Sequence, residues 1–140
     1  MRLYSIDVVT LAIDAPRKWT DNVLSQYSLP DVISVSQGVA RRIPYHGILR
    51  LAVIRQLHTE LGIGVANAVQ FAGRLLDSGD TPVLNIAQLR LGLDLVSLRS
   101  TIDARLSMAL ESTPSRRRGR PPNKTTGERA RGPIAPLSRQ

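Results

Sequence analysis

Residues 113–140 limit what this chain can fold into more than any other stretch. They hold Arg116, Arg117, Arg118, Arg120, Lys124, Arg129, Arg131 and Arg139 against Glu128 alone. Their only large apolar side chains are Ile134 and Leu137, set among Pro, Gly, Ser and Thr. Such a stretch buries too little surface to offset chain entropy, so it is expected to be disordered when free. A packed core must therefore come from residues 1–112. The tail also carries nearly all of the formal charge of +8, leaving a body close to neutral. A basic tail on a near-neutral body points to a polyanionic partner, nucleic acid before membrane.

Within the tail, Ser115-Arg116-Arg117-Arg118-Gly119-Arg120-Pro121-Pro122 has the chemistry of a minor-groove ligand. Gly119 lacks a Cβ and lets backbone approach a groove floor. Pro121 and Pro122 hold φ near −65° and favour extended backbone before them. Narrow A·T minor grooves are strongly negative and attract inserted arginines. The stretch resembles the AT-hook, whose Arg-Gly-Arg-Pro core is matched by Arg118, Gly119, Arg120 and Pro121. The resemblance implies A·T-preferring minor-groove contact by Arg116, Arg117 and this core. The plainer reading is a solvated polybasic tail.

Upstream, Ser5 is placed to cap a short helix carrying Ile6, Val9, Leu11, Ala12 and Ile13. Asp14-Ala15-Pro16 offers a second start signal, an acidic cap with proline in the first turn. The helix that follows, about 16–26, sets Trp19, Val23 and Tyr27 on one face at spacings of four. Arg17, Lys18, Asn22 and Gln26 take other faces. Two short helices joined by a tight turn suit a helix-turn-helix whose second helix enters the major groove. Arg and Lys there would read guanine, Asn and Gln adenine. The alternative is an ordinary solvated face, and Trp19, in register with Val23, is expected in the core. From Leu29 to Tyr45 the pattern becomes a hairpin: Val32, Ile33 and Val35, a Ser36-Gln37-Gly38 turn, then Val39 to Ile43. Arg41 and Arg42 on its return arm would grip phosphates as a wing. Helices are expected over about 45–61, ended by Gly62, and from Gly64 to Leu76.

The order helix, turn, helix, wing, long helix, Leu-Gly break, helix resembles the DNA-binding domain of the MerR family. The residues that carry it are Tyr4-Ser5-Ile6, Gly38-Val39-Ala40-Arg41-Arg42-Ile43 and Ile48 to Gly62. Excisionase-like winged helices share the layout. Where the family has paired aromatics after the start of the recognition helix, this chain has Trp19-Thr20-Asp21. No base specificity therefore transfers.

After Asp77-Ser78-Gly79-Asp80, strands are expected over about 82–87 and 89–94, the second strictly alternating from Leu89 to Leu95. A helix follows with Leu98, Ile102, Leu106 and Ala109 or Leu110 on one stripe. The expected organisation is a winged-helix domain over 1–78, a strand pair and helix over 79–112, and the basic tail over 113–140. The fold class is mainly α with small β. The 79–112 element is expected to form a homodimer, or else to pack back on its own domain.

Catalysis finds no support. The chain has no cysteine, which removes disulfides, thiolate metal sites and thiol nucleophiles together. His46 and His58 lack nearby metal-ligand partners, and Gly62-Ile63-Gly64 follows a helix where a phosphate loop follows a strand. No cofactor, metal or effector pocket is nominated. Asp7 interrupts any signal-like start, and no apolar run approaches membrane-spanning length, so a cytoplasmic, nucleoid location without membrane contact is expected. The leading expectation is a dimeric transcriptional regulator that reads double-stranded DNA through residues 17–26, with the tail in an adjacent A·T-rich minor groove. The alternatives are a nucleoid architectural protein, or an antitoxin or adaptor whose tail wraps a protein partner such as a toxin.

Overall fold

The structure, a computed structural model, describes residues 2–32, 40–79 and 81–112. These form β1 (Leu3–Tyr4), α1 (Ile6–Ala12), α2 (Arg17–Gln26), β2 (Ile43–Pro44), α3 (Tyr45–Leu61), α4 (Val65–Leu76), β3 (Val83–Ile86), β4 (Leu89–Gly92) and α5 (Leu95–Ser112). The described chain is mainly helical, with two antiparallel two-stranded ladders, β1–β2 and β3–β4. Most of the expected wing hairpin, residues 33–39, and the whole tail lie outside the described residues.

Ser5 caps α1 as expected, its Oγ accepting from the Val8 N–H at 3.4 Å. The buried arc of α1 runs through Ile6, Val8, Val9 and Ala12. Leu11, expected inside, is exposed because the helical turn sets it opposite that arc. Asp14 does not cap α2. It turns the chain instead, at φ 55°, a left-handed conformation that a short polar side chain tolerates. Pro16 is the residue that precedes the first turn, and α2 starts at Arg17.

Helix α3 is the centre of the molecule. Every residue from Gly47 to Ile54 is buried, and so is Leu57. The helix packs against α4, α5 and β2, so it needs apolar residues on all sides. Gly62 ends it at φ 68°. Helix α4 lays Ala68, Ala72 and Leu75 on it, the two alanines permitting close approach. Ile43, expected at the end of a wing arm, pairs through β2 with Tyr4.

Helix α5 buries Leu98, Ile102, Leu106 and Ala109, while Leu110 is exposed. This stripe packs on α1 and α3 and joins the core cluster, so for α5 the alternative of packing back on its own domain holds. Between α4 and α5, β3 and β4 pair from Val83 opposite Gly92 to Ile86 opposite Leu89. The expected leucine alternation is present, yet its covering is uneven. Leu91 and Leu93 are half-buried against the core and Leu89 is exposed.

Candidate nucleic-acid interface

The seat of α2 decides what its outer face presents. Thr20, Val23 and Leu24 are buried, and Trp19 and Tyr27 pack at the margin of the core. Trp19 lies between helices: the Arg55 guanidinium sits over its ring at 5.0 Å, and the His58 ring stacks at 6.4 Å. Its indole N–H is buried without a hydrogen-bond acceptor. Trp19 is thus a core-edge residue, as its register with Val23 implied. His58 is occupied as well, its Nδ1 lying 2.9 Å from the Ile63 carbonyl, which makes that nitrogen the donor.

With that face seated, Lys18, Asn22 and Gln26 form an exposed row at spacings of four, one helical face. Arg17 behaves differently. It is ion-paired with Asp7, and its Nε lies 3.7 Å from Asp21. Arg41, expected on a wing, turns back onto α2: Nη2 donates to Ser25 Oγ at 3.1 Å and Nη1 lies 3.5 Å from Asp21. Asp21 therefore sits between two guanidiniums, and its charge is balanced beside the open row. Arg42 is exposed, with no carboxylate in reach among the described residues. The structure brings Arg17 and Arg41 together on Asp21 and leaves Lys18, Asn22, Gln26 and Arg42 open. Arg116, Arg117, Arg118, Gly119, Arg120 and Pro121 lie outside the described residues.

Arg50 escaped the sequence reading. It is buried in the middle of α3, with Nε donating to Asp31 Oδ2 at 2.8 Å and Nη2 lying 3.8 Å from Asp77. Asp31 stands just before residues 33–39, and Asp77 just after α4. Arg50 therefore ties both segments to the central helix. Gly73 makes room for it: a Cβ there would approach Arg50 Nη1 to 3.0 Å. The available signal was an arginine inside an otherwise apolar run, Ile48 to Ile54, where a cation needs a buried partner.

Tyr45 and Asp103 join α3 to α5 through a 2.7 Å hydrogen bond. Burial, aided by the Asp103 carboxylate, pushes the Tyr45 hydroxyl up to about 12. A cleft of about 320 Å³ beside these helices is lined by Asp14, Arg55, Glu60 and Arg105 with uncharged polar and apolar residues, so its cations and anions balance. No group of three or more His, Asp or Glu side chains able to hold a metal ion occurs among the described residues. No helix among them is long and apolar enough to cross a membrane. Compared with known proteins, the chain matches no family, no curated protein and no solved structure.

Proposed function

We propose that the chain is a sequence-reading double-stranded DNA-binding protein, a transcriptional regulator whose α2 lies in the major groove. The observation that carries this reading is the exposed Lys18, Asn22 and Gln26 row on a helix whose other face is seated in the core. These side chains have the donors and acceptors that base edges require, and Lys18 adds attraction for phosphate or guanine. A tight turn joins α1 to α2, the geometry of a helix-turn-helix. The resemblance to MerR-type winged helices supports the same reading. Arg42 contacts backbone phosphate, while Arg17 and Arg41 hold α2 in place through Asp21.

The tail supplies a second contact. Helix α5 ends at Ser112, and the residues from there to Arg116 span only about 15 Å at ~3.1 Å per residue. Arg118 and Arg120 would enter a minor groove adjoining the first contact, and tethering raises the effective concentration of this weak hook.

Selection of bound DNA from a random pool tests the reading, with full-length protein and with residues 1–112. Both should enrich a discrete site, and the full chain should add an A·T-rich flank. Failure to enrich any motif, with even coating of long DNA, would replace regulation by architectural binding. No attachment to any duplex at near-physiological salt would remove the DNA reading altogether.

A further inference from the structure

The β3–β4 hairpin has one edge that the rest of the described chain leaves uncovered. Ile86 and Leu89 close a two-residue turn, and the Leu93 N–H donates to the Pro82 carbonyl at 3.0 Å. Antiparallel ladders alternate hydrogen-bonded and non-bonded pairs, so Leu89, Leu91 and Leu93 direct their backbone groups toward β3. The backbone N–H and C=O groups of Arg90 and Gly92 then point outward. Leu89, Arg90 and Gly92 are all exposed, and a Cβ at Gly92 would meet nothing within 4 Å. Unpaired strand edges of this kind are templates for another strand.

We infer that this edge pairs with β4 of a second copy of the chain, forming an antiparallel four-stranded sheet across a two-fold axis at Leu91. The strand is complementary to itself only in this register. Leu91 meets Leu91 of the partner subunit, Arg90 meets the partner's Gly92, and Leu89 meets the partner's Leu93. Both Arg90–Gly92 pairs exchange two backbone hydrogen bonds, using the outward groups that the described residues leave open. One register to one side sets Arg90 against Arg90 of the partner subunit, a repulsive pair directly opposite. One register to the other side needs the backbone of Asp94, whose carbonyl already accepts from the Leu98 N–H at 3.0 Å in the first turn of α5. The chosen register also brings Leu89, 71% exposed in the single chain, to the partner's Leu93. That leucine rims a mainly apolar hollow of about 180 Å³, lined by Leu57, Leu61, Leu75 and Leu91 with Gln56 and Glu60 at its polar side. The inference goes beyond DNA binding and does not require it. It assigns the homodimer contact expected of residues 79–112 to the strand pair.

The absence of native cysteine makes the register readable. In full-length protein, Leu91→Cys should form an intermolecular disulfide under mild oxidation, because non-bonded antiparallel pairs bring Cα atoms to about 4.5 Å. Arg90→Cys and Gly92→Cys, each alone, should link far less. Sedimentation of the unmodified full chain should give twice the chain mass at micromolar concentration. Leu89→Lys, at an exposed site, and Gly92→Pro, which deletes an outward N–H, should each weaken association at least tenfold. Circular dichroism should show both still folded, and Met108→Lys on exposed α5 should remain dimeric. A chain that stays monomeric to about 100 μM overturns the inference. So does a dimer indifferent to Leu89→Lys, or one that links best through Gly92→Cys.

Discussion

Two sets of arginines in this body obey opposite rules. Arg50 lies at the centre of α3, held by Asp31 and Asp77, with almost no solvent contact. Arg17 and Arg41 lie around α2, share Asp21 and remain accessible in part. The first joins three segments of chain and cannot act on any partner. The second steadies a helix whose own exposed residues, Lys18, Asn22 and Gln26, carry no charge pairing among the described residues. Positive charge and availability for DNA are therefore separate properties, and counting basic residues conflates them.

The deepest test of this contrast is structural. Arg50→Ala should cost about 3 kcal/mol, since it strands Asp31 beside the core. Urea denaturation read by circular dichroism would measure it, and a loss below about 1 kcal/mol would mean that Arg50 is no better anchored than the surface arginines. At the surface, Lys18→Ala or Asn22→Ala should leave stability within about 0.5 kcal/mol. Each should cost about 1–3 kcal/mol of discrimination at the base it reads, checked by competition between the selected site and single-base variants. Arg17→Ala should change stability by under about 1 kcal/mol and site preference less than Asn22→Ala does, because the guanidinium is committed to Asp7 and Asp21. A larger loss of preference for Arg17→Ala would return it to the base-reading set. In the tail, Arg118→Ala combined with Arg120→Ala should reduce the slope of log affinity against log salt by about two, most clearly on A·T-flanked probes.

Tyr45 gives the smallest effect and the one with a defined pH window. Its hydroxyl stays protonated to about 12 in the folded chain, against 10.0 for an ordinary tyrosine. Above pH 10 the unfolded chain loses this proton and the folded chain keeps it. The stabilisation is complete below pH 10 and disappears as pH rises through about 12. Thermal melts across that interval should show a shallower decline for Tyr45→Phe than for the unaltered chain.

Local chemistry made much of this molecule readable from its residues. Ser5 caps α1, Gly62 ends α3, and the leucine alternation after Gln88 announces a strand, since each signal depends on nearest neighbours alone. Legibility stops where partners come from distant segments. Asp14 has the composition of a cap but becomes a left-handed turn. Arg41 fits a wing by position, yet Ser25 and Asp21 draw it back to α2. The α5 stripe has the period of an interface helix, and nothing in that period distinguishes another chain from α1 and α3. Arg50 was hidden for the same reason, as its carboxylates stand far away in sequence. The row at 18, 22 and 26 was legible as residue types, but its openness depended on how Trp19 and Val23 seat the helix.

The chain contains a single tryptophan, and it lies on the underside of the helix proposed to read DNA. With the Arg55 guanidinium and the His58 ring of α3 both against it, the indole should report any tilt or lift of α2 through its emission. The molecule thus carries its own optical gauge. Titrating it with a ligand that is itself dark at those wavelengths would report how the helix shifts on its seat, with no dye attached.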